Sequence, residues 1–159
     1  MSNSIDQSRR NLFRRNKRDT IRPPWSKSEV EFTDLCTRCD KCINSCETQI
    51  LIRGGGGFPE VDFSNHECTF CQKCVQVCPE PVFRDITESP WQLKANIDNT
   101  CLTYSGVYCQ SCKDSCDPQA ITFPLAPGTI PRPEISLDLC TGCGACVAPC
   151  PNGSIKLKA

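Results

Sequence analysis

Short apolar and β-branched runs, rather than long amphipathic stretches, dominate the chain from residue 36 onward. Such runs are typical of short strands, and two runs joined by a turn are typical of a hairpin. Four consecutive glycines at residues 54–57 provide one such turn. Short helices are predicted at residues 72–77 and 144–148. The predicted strands are residues 50–52, 60–63, 120–123 and 134–137, with residues 82–83 and 93–97 as weaker candidates.

Residues 1–28 lack this pattern. They are polar and basic and show no sustained helical or strand period, so they are predicted to form a basic flexible arm. Pro23 and Pro24 end any helix and favour an extended backbone. Trp25 follows directly, either as a docking anchor for a partner or as a side chain packed on the protein's own surface. The sequence leaves both interpretations of Trp25 open.

Composition indicates that a conventional hydrophobic core would be thin. Leu, Ile, Val and Phe together supply 34 of the 159 residues, whereas cysteine alone supplies 16. So much cysteine indicates a scaffold held by disulfides or by metal. No signal peptide is visible near Met1, which favours metal over a secreted disulfide framework.

The cysteines repeat in four groups of four, separated by 21, 22 and 23 residues. Groups one, two and four share the spacing C-x2-C-x2-C-x3-C, and the third is stretched to C-x7-C-x2-C-x3-C. The groups are Cys36, Cys39, Cys42, Cys46; Cys68, Cys71, Cys74, Cys78; Cys101, Cys109, Cys112, Cys116; and Cys140, Cys143, Cys146, Cys150.

This spacing is that of bacterial 4Fe–4S proteins, in which three cysteines wrap one cubane and the fourth reaches a neighbouring cluster. Pro79 and Pro151 follow their fourth cysteines, as the motif expects, whereas Glu47 replaces that proline in the first group. In the third group, residues 102–108 must bulge for Cys101 to reach its iron. We therefore predict four 4Fe–4S clusters with all sixteen cysteines as ligands.

Two other scaffolds compete with the clusters. Zinc sites also use C-x2-C pairs, but they take two pairs separated by a longer loop. A disulfide framework would need no such regular spacing. The four compact groups, with no cysteine left over, favour clusters over both.

The spacing does not decide which groups share a module. Nested pairing would join the first group to the fourth and the second to the third. Sequential pairing would give one cluster Cys36, Cys39, Cys42 and Cys78, and its neighbour Cys68, Cys71, Cys74 and Cys46. The predicted fold is α+β and ferredoxin-like, with two bacterial 2×(4Fe–4S) modules at residues 29–98 and 99–159.

Charge is distributed unevenly although the whole chain is neutral. Residues 1–28 carry a net charge of +6 and residues 29–159 a net charge of −6. Such asymmetry suggests a tail that meets a partner. Residues 8–14 are close to the twin-arginine export motif, but the apolar stretch that export requires does not follow. A cytoplasmic protein without a membrane span is therefore expected, and no catalytic set or nucleic-acid partner is predicted.

The arm, the segment Ile21-Arg22-Pro23-Pro24-Trp25-Ser26 and the stretched third group together resemble the NapF ferredoxin-type proteins. The resemblance implies a cytoplasmic accessory of periplasmic nitrate reductase that binds the precursor of the catalytic subunit. It would assist maturation before export, through electron supply or cluster assembly. Alternatives are an electron-transfer subunit or a free polyferredoxin that serves a molybdenum oxidoreductase. The candidate partner-binding residues are Arg9, Arg10, Arg22 and Trp25.

Overall fold

The computed structural model describes residues 20–125 and 127–159. Within these residues the helices and strands are short, and each of the four stronger strand predictions overlaps a strand. The described chain has no helix with the length and apolar character needed to cross a membrane. The helices are α1 (Glu29–Leu35), α2 (Lys41–Asn44), α3 (Lys73–Gln76) and α4 (Ser111–Asp114). The strands are β1 (Leu51–Arg53), β2 (Pro59–Val61), β3 (Lys94–Ile97), β4 (Ile121–Thr122), β5 (Glu134–Ile135) and β6 (Ile155–Lys158).

The strands pair according to one plan that occurs twice. An antiparallel hairpin separates the first cysteine group from the second (β1–β2), and another separates the third from the fourth (β4–β5). An outer pair then brackets each half. Strands β3 and β6 enclose the third and fourth groups, and an antiparallel bridge between Ser26 and Phe83 encloses the first and second.

This plan corrects the predicted module boundaries. Strand β3 pairs with β6, so residues 94–97 belong with the second half rather than with residues 29–98. Ser26 pairs with Phe83, so residues just before position 29 belong with the first half. The two weak strand candidates after the second group do not pair with each other. The module boundaries were mispredicted because the outer strands pair with segments about 60 residues away. Patterns among neighbouring residues do not indicate pairing over such a distance.

Residues 20–28, which were predicted to belong to the flexible arm, pack on the body of the protein. Trp25 is only 4% exposed, and its indole N–H donates to the carbonyl oxygen of Glu88 at 2.9 Å. Its ring meets Phe70 edge to face, at 6.3 Å between centroids. The structure therefore shows the second interpretation of Trp25, in which the ring packs on its own protein. Residues 1–19, with Arg9 and Arg10, lie outside the described residues.

The Arg22 side chain likewise contacts residues of its own chain. Its guanidinium donates to both carboxylate oxygens of Glu29, at 2.8 and 2.6 Å, and lies over the rings of Phe32 and Phe58. A two-pronged contact of this kind fixes the side chain more firmly than a single ion pair. Both side chains are therefore engaged within the chain, and the prediction that Arg22 and Trp25 bind a partner stays a prediction.

Helix α1 was not predicted, although its signal is present. Ser28 accepts a hydrogen bond from the Glu31 N–H, and the Glu31 carboxylate accepts one from the Ser28 N–H. This reciprocal capping box starts the helix. Phe32 is 1% exposed and anchors it, and the N–H of Cys36 donates to the Phe32 carbonyl at the other end. Helix α1 thus delivers the first cysteine of the first group.

The predicted helix at residues 144–148 is wrong. Residues 145–149 form turns, in which the Val147 N–H donates to the Gly144 carbonyl and the Cys150 N–H donates to the Val147 carbonyl. Pro149 has no N–H to extend a helical ladder. Gly144 has a φ of +87°, which is incompatible with a right-handed helical turn. The other predicted helix, at residues 72–77, contains α3.

The two halves pack closely where Gly144 meets Phe63. A Cβ atom at Gly144 would lie 2.1 Å from the Phe63 ring, so no larger residue fits without a shift. Trp91, in the connection between the halves, meets Phe63 and Phe70 edge to face at 5.9 and 5.7 Å. Its indole N–H donates to the Thr141 carbonyl at 3.2 Å. The halves therefore share one packed interface.

We expect Gly144→Ala to destabilise the protein more than Gly106→Ala. Both glycines have a positive φ, +87° and +83°, so both variants carry a backbone cost of about 1–2 kcal/mol. Gly106 has open space around it, whereas Gly144 lies against Phe63, so overpacking adds about 1–3 kcal/mol there. Anaerobic thermal unfolding of the two variants measures the difference. Equal losses would contradict the close packing.

Candidate metal centres

The fourth cysteine of each group lies beside the first three cysteines of its neighbouring group. Burial raises the pKa of Cys42 to about 12, and the Cys74, Cys78 and Cys36 thiols add to the rise. The pKa of Cys78 is raised by burial and then by Cys39 and Cys36. Cys78 therefore faces the first group although its sequence neighbours belong to the second.

The fourth cysteines of the other three groups are placed in the same way. Burial and the nearby thiols, Cys46 among them, raise the pKa of Cys68 and of Cys74 to about 12. The Cys150 thiol likewise helps to raise the pKa of Cys112, and the Cys116 thiol helps to raise the pKa of Cys146. These contacts correspond to the sequential pairing of the groups, first with second and third with fourth. The sets are the first site, Cys36, Cys39, Cys42 and Cys78; the second, Cys68, Cys71, Cys74 and Cys46; the third, Cys101, Cys109, Cys112 and Cys150; and the fourth, Cys140, Cys143, Cys146 and Cys116.

Three of the loops share an unusual backbone. The middle cysteine of each triplet, Cys39, Cys71 or Cys143, has a left-handed residue on either side. Alternation of left- and right-handed residues turns successive N–H groups to one side and forms a concave site for anions. A non-glycine residue in this conformation is strained, and such strain clusters at functional sites. The flanking pairs are Arg38 and Asp40, Phe70 and Gln72, and Gly142 and Gly144.

Backbone N–H groups do reach the sulfur atoms. The N–H of Phe70 donates to Cys68 Sγ at 3.4 Å, and that of Ser154 to Cys150 Sγ at 3.3 Å. The N–H of Lys41 lowers the pKa of Cys39. These donors favour thiolate over thiol, which is the form that binds iron.

The third loop bulges, as its longer spacing requires. Residues Leu102–Ser105 form one 3₁₀ turn, and Gly106 ends it with a left-handed φ of +83°. The buried Thr103 hydroxyl lies 3.4 Å from Cys101 Sγ. The extra residues are thus looped out while Cys101 stays beside Cys109 and Cys112.

Glu47, which stands where the first group lacks its proline, has a partner. Its carboxylate pairs with the Lys73 ammonium at the start of α3. The pair joins the end of the first cysteine group to the second group, so the departure from the motif does not disrupt the packing.

The chemistry of the donors fits iron–sulfur clusters. All sixteen cysteines are free, which gives the disulfide alternative no support. Within residues 20–125 and 127–159, no group of three or more Cys, His, Asp or Glu is placed closely enough to hold a single metal ion. Burial holds the pKa of Cys42, Cys68, Cys74 and Cys146 near 12. Thiolates at such positions need a cationic partner, and iron supplies one.

Fold and site together define a ferredoxin-type iron–sulfur protein, and comparison with known sequences agrees. The sequence model of the 4Fe-4S dicluster domain matches residues 35–82 and again residues 107–154. The chain is 47% identical to the ferredoxin-type protein NapF of Escherichia coli K12 over 97% of this chain and 96% of that protein. The chain belongs to the NapF family of ferredoxin-type proteins. This confirms the predicted family and an electron-transfer or accessory role rather than an enzymatic one.

Other relatives also have names of ferredoxin-type proteins. NapF of Haemophilus influenzae is 47% identical over 87% of this chain and 78% of its own length. The methylamine utilization ferredoxin-type protein MauM of Methylobacillus flagellatus is 30% identical over 82% of this chain and 63% of its own length. No solved structure matches the chain.

Proposed function

We propose that the chain holds four 4Fe–4S clusters, one at each site, with all sixteen cysteines as ligands. The supporting observation is that the fourth cysteine of each group lies with the first three cysteines of the neighbouring group. Four thiols therefore meet at each site, and no cysteine remains unused. When bound, such clusters exchange single electrons. The chain contributes thiolates, backbone donors that offset negative charge, and apolar packing that limits contact with water.

We further propose that the protein acts in the cytoplasm on the precursor of the periplasmic nitrate reductase catalytic subunit and assists its maturation before export. The observation that carries this proposal is the 47% identity to Escherichia coli NapF across nearly the whole of both chains. Electron supply and cluster assembly are the two mechanisms considered. The alternative is an electron carrier for a molybdenum oxidoreductase.

Arg9 and Arg10 remain the candidate partner-binding residues. Residues 1–28 are strongly basic against an acidic remainder. Arg22 and Trp25 are less suited to this role, because the first is paired with Glu29 and the second is buried. The proposed docking segment therefore shortens to residues 1–19.

Replacing Arg9 and Arg10 together by alanine is expected to abolish binding to the reductase precursor and to leave the iron content unchanged. The matched control replaces Lys17 and Arg18, which removes the same charge from the same segment. Anaerobic binding of purified protein to the immobilised precursor measures both variants. Full-strength binding by the Arg9/Arg10 variant would refute the docking role, and equal loss in both variants would show that only net charge matters. Deleting residues 1–28 would confuse the result, because it also removes the buried Trp25.

A further inference from the structure

The second and fourth sites meet across the interface between the two halves. The N–H of Cys68 donates to the carbonyl oxygen of Cys143 at 2.8 Å, which joins the two loops directly. Cys68 and Cys143 also line the same cavity. Cys68 belongs to the second site and Cys143 to the fourth, so the loops of two sites in different modules touch.

The packing around this junction keeps it closed. Phe63 lies against Gly144, one residue from Cys143, at a separation that a side chain at position 144 would prevent. Trp91 contacts Phe70, two residues from Cys68, and bonds to Thr141, two residues from Cys143. Aromatic rings therefore pack against both loops, Trp91 from the connection between the modules and Phe63 from the first module.

Within each module the crossing cysteines already bring two sites together. Cys78, from the second cysteine group, lines one cavity with the other three cysteines of the first site, and Cys116, from the third group, lines another with the other three cysteines of the fourth site. The contacts give one spatial order, in which the first site neighbours the second, the second neighbours the fourth, and the fourth neighbours the third.

We propose that the Cys68–Cys143 contact is the junction through which electrons pass between the modules, and that the first and third sites are the two ends of the route. This inference rests on the proposed four clusters. The Cys68 and Cys143 loops would hold the clusters of the second and fourth sites beside each other, and clusters bound there would supply one-electron exchange between the two sites. A continuous route of this kind favours electron supply as the maturation mechanism.

Both ends of the route are accessible to partners, although access is not confined to them. Cys39 at the first site and Cys71 at the second site are exposed. At the third site the bulged loop presents Tyr108, which is 67% exposed, and Val107, which is 51% exposed.

The test uses paired removal of the middle cysteines. Cys39→Ala with Cys109→Ala removes the first and third sites and leaves the second and fourth, whereas Cys71→Ala with Cys143→Ala leaves the first and third. We expect the reduced Cys39/Cys109 variant to show a spin–spin split electron paramagnetic resonance spectrum that saturates at severalfold higher microwave power. The reduced Cys71/Cys143 variant should show uncoupled signals.

Iron analysis separates failure of this route from failure of the proposed function. Wild-type protein with about sixteen irons and paired variants with about eight irons each establish the clusters. Uncoupled signals from the Cys39/Cys109 variant would then overturn the junction alone. Wild-type protein with far fewer irons would overturn the four-cluster proposal and the route with it.

A second comparison retains every cysteine, in case the paired variants do not fold. Trp91→Ala loosens the brace at the junction, and Tyr108→Ala removes an exposed ring elsewhere as the control. We expect the half-saturation power of the fully reduced protein to fall in the Trp91 variant and to stay at the wild-type value in the Tyr108 variant. An unchanged Trp91 variant would contradict the junction.

Discussion

Replacing Cys39 and Cys78 together by alanine is expected to remove about four irons per chain, no more than either replacement alone. The two cysteines are 39 residues apart and belong to different groups, but Cys39 lies among the thiols that raise the pKa of Cys78. Both therefore hold the same cluster in the proposed arrangement. Once the first replacement has removed that cluster, the second replacement removes no further iron. Iron analysis of anaerobically purified protein, with about sixteen irons in the wild type, measures the loss.

The matched control replaces Cys39 and Cys46. These two belong to the same group in the sequence, but Cys46 lies with Cys68 and Cys74 at the second site. That variant should lose about eight irons, because two clusters each lose a ligand. The reverse pattern, with eight irons lost from the Cys39/Cys78 variant and four from the control, would show that each group holds its own cluster.

Trp25→Ala is expected to destabilise the protein by about 3–5 kcal/mol, the usual cost of removing a large buried aromatic side chain. The indole is buried, bonds to the Glu88 carbonyl and packs on Phe70. The backbone of Trp25 also bonds on both sides, donating to Pro90 and accepting from Arg84. No cysteine is altered, so any loss of clusters on heating would follow from loss of packing.

Thermal unfolding under anaerobic conditions, followed by circular dichroism and by the visible absorbance of the clusters, measures this effect. Val30→Ala is the control, because Val30 is 70% exposed on α1 and should change stability little. Trp25→Phe keeps most of the packing and loses the indole hydrogen bond, at a cost of about 1 kcal/mol. A Trp25→Ala variant as stable as Val30→Ala would restore the view of residues 20–28 as a detachable arm.

The cysteine spacing fixed the kind of site without any structure, because three ligands within seven residues are positioned by the loop that carries them. The hairpins around residues 54–57 and 120–137 were equally local, since each strand pairs with the next run along the chain. Two missed elements also had local signals. Ser28 and Glu31 have the spacing of a capping box, and Ile155-Lys156-Leu157-Lys158 alternates as a half-buried strand does.

Sequence alone thus determined the candidate ligands, the stretched third loop and the family resemblance, because each depends on residues close together in the chain or on the motif as a whole. Only the tertiary structure decided which groups share a module, where Trp25 packs and how the second site meets the fourth. These features depend on partners tens of residues apart, such as β3 with β6 and Phe63 with Gly144. Gaps of nearly equal length between the groups are compatible with more than one such arrangement, so the pairing of the groups is set by tertiary packing.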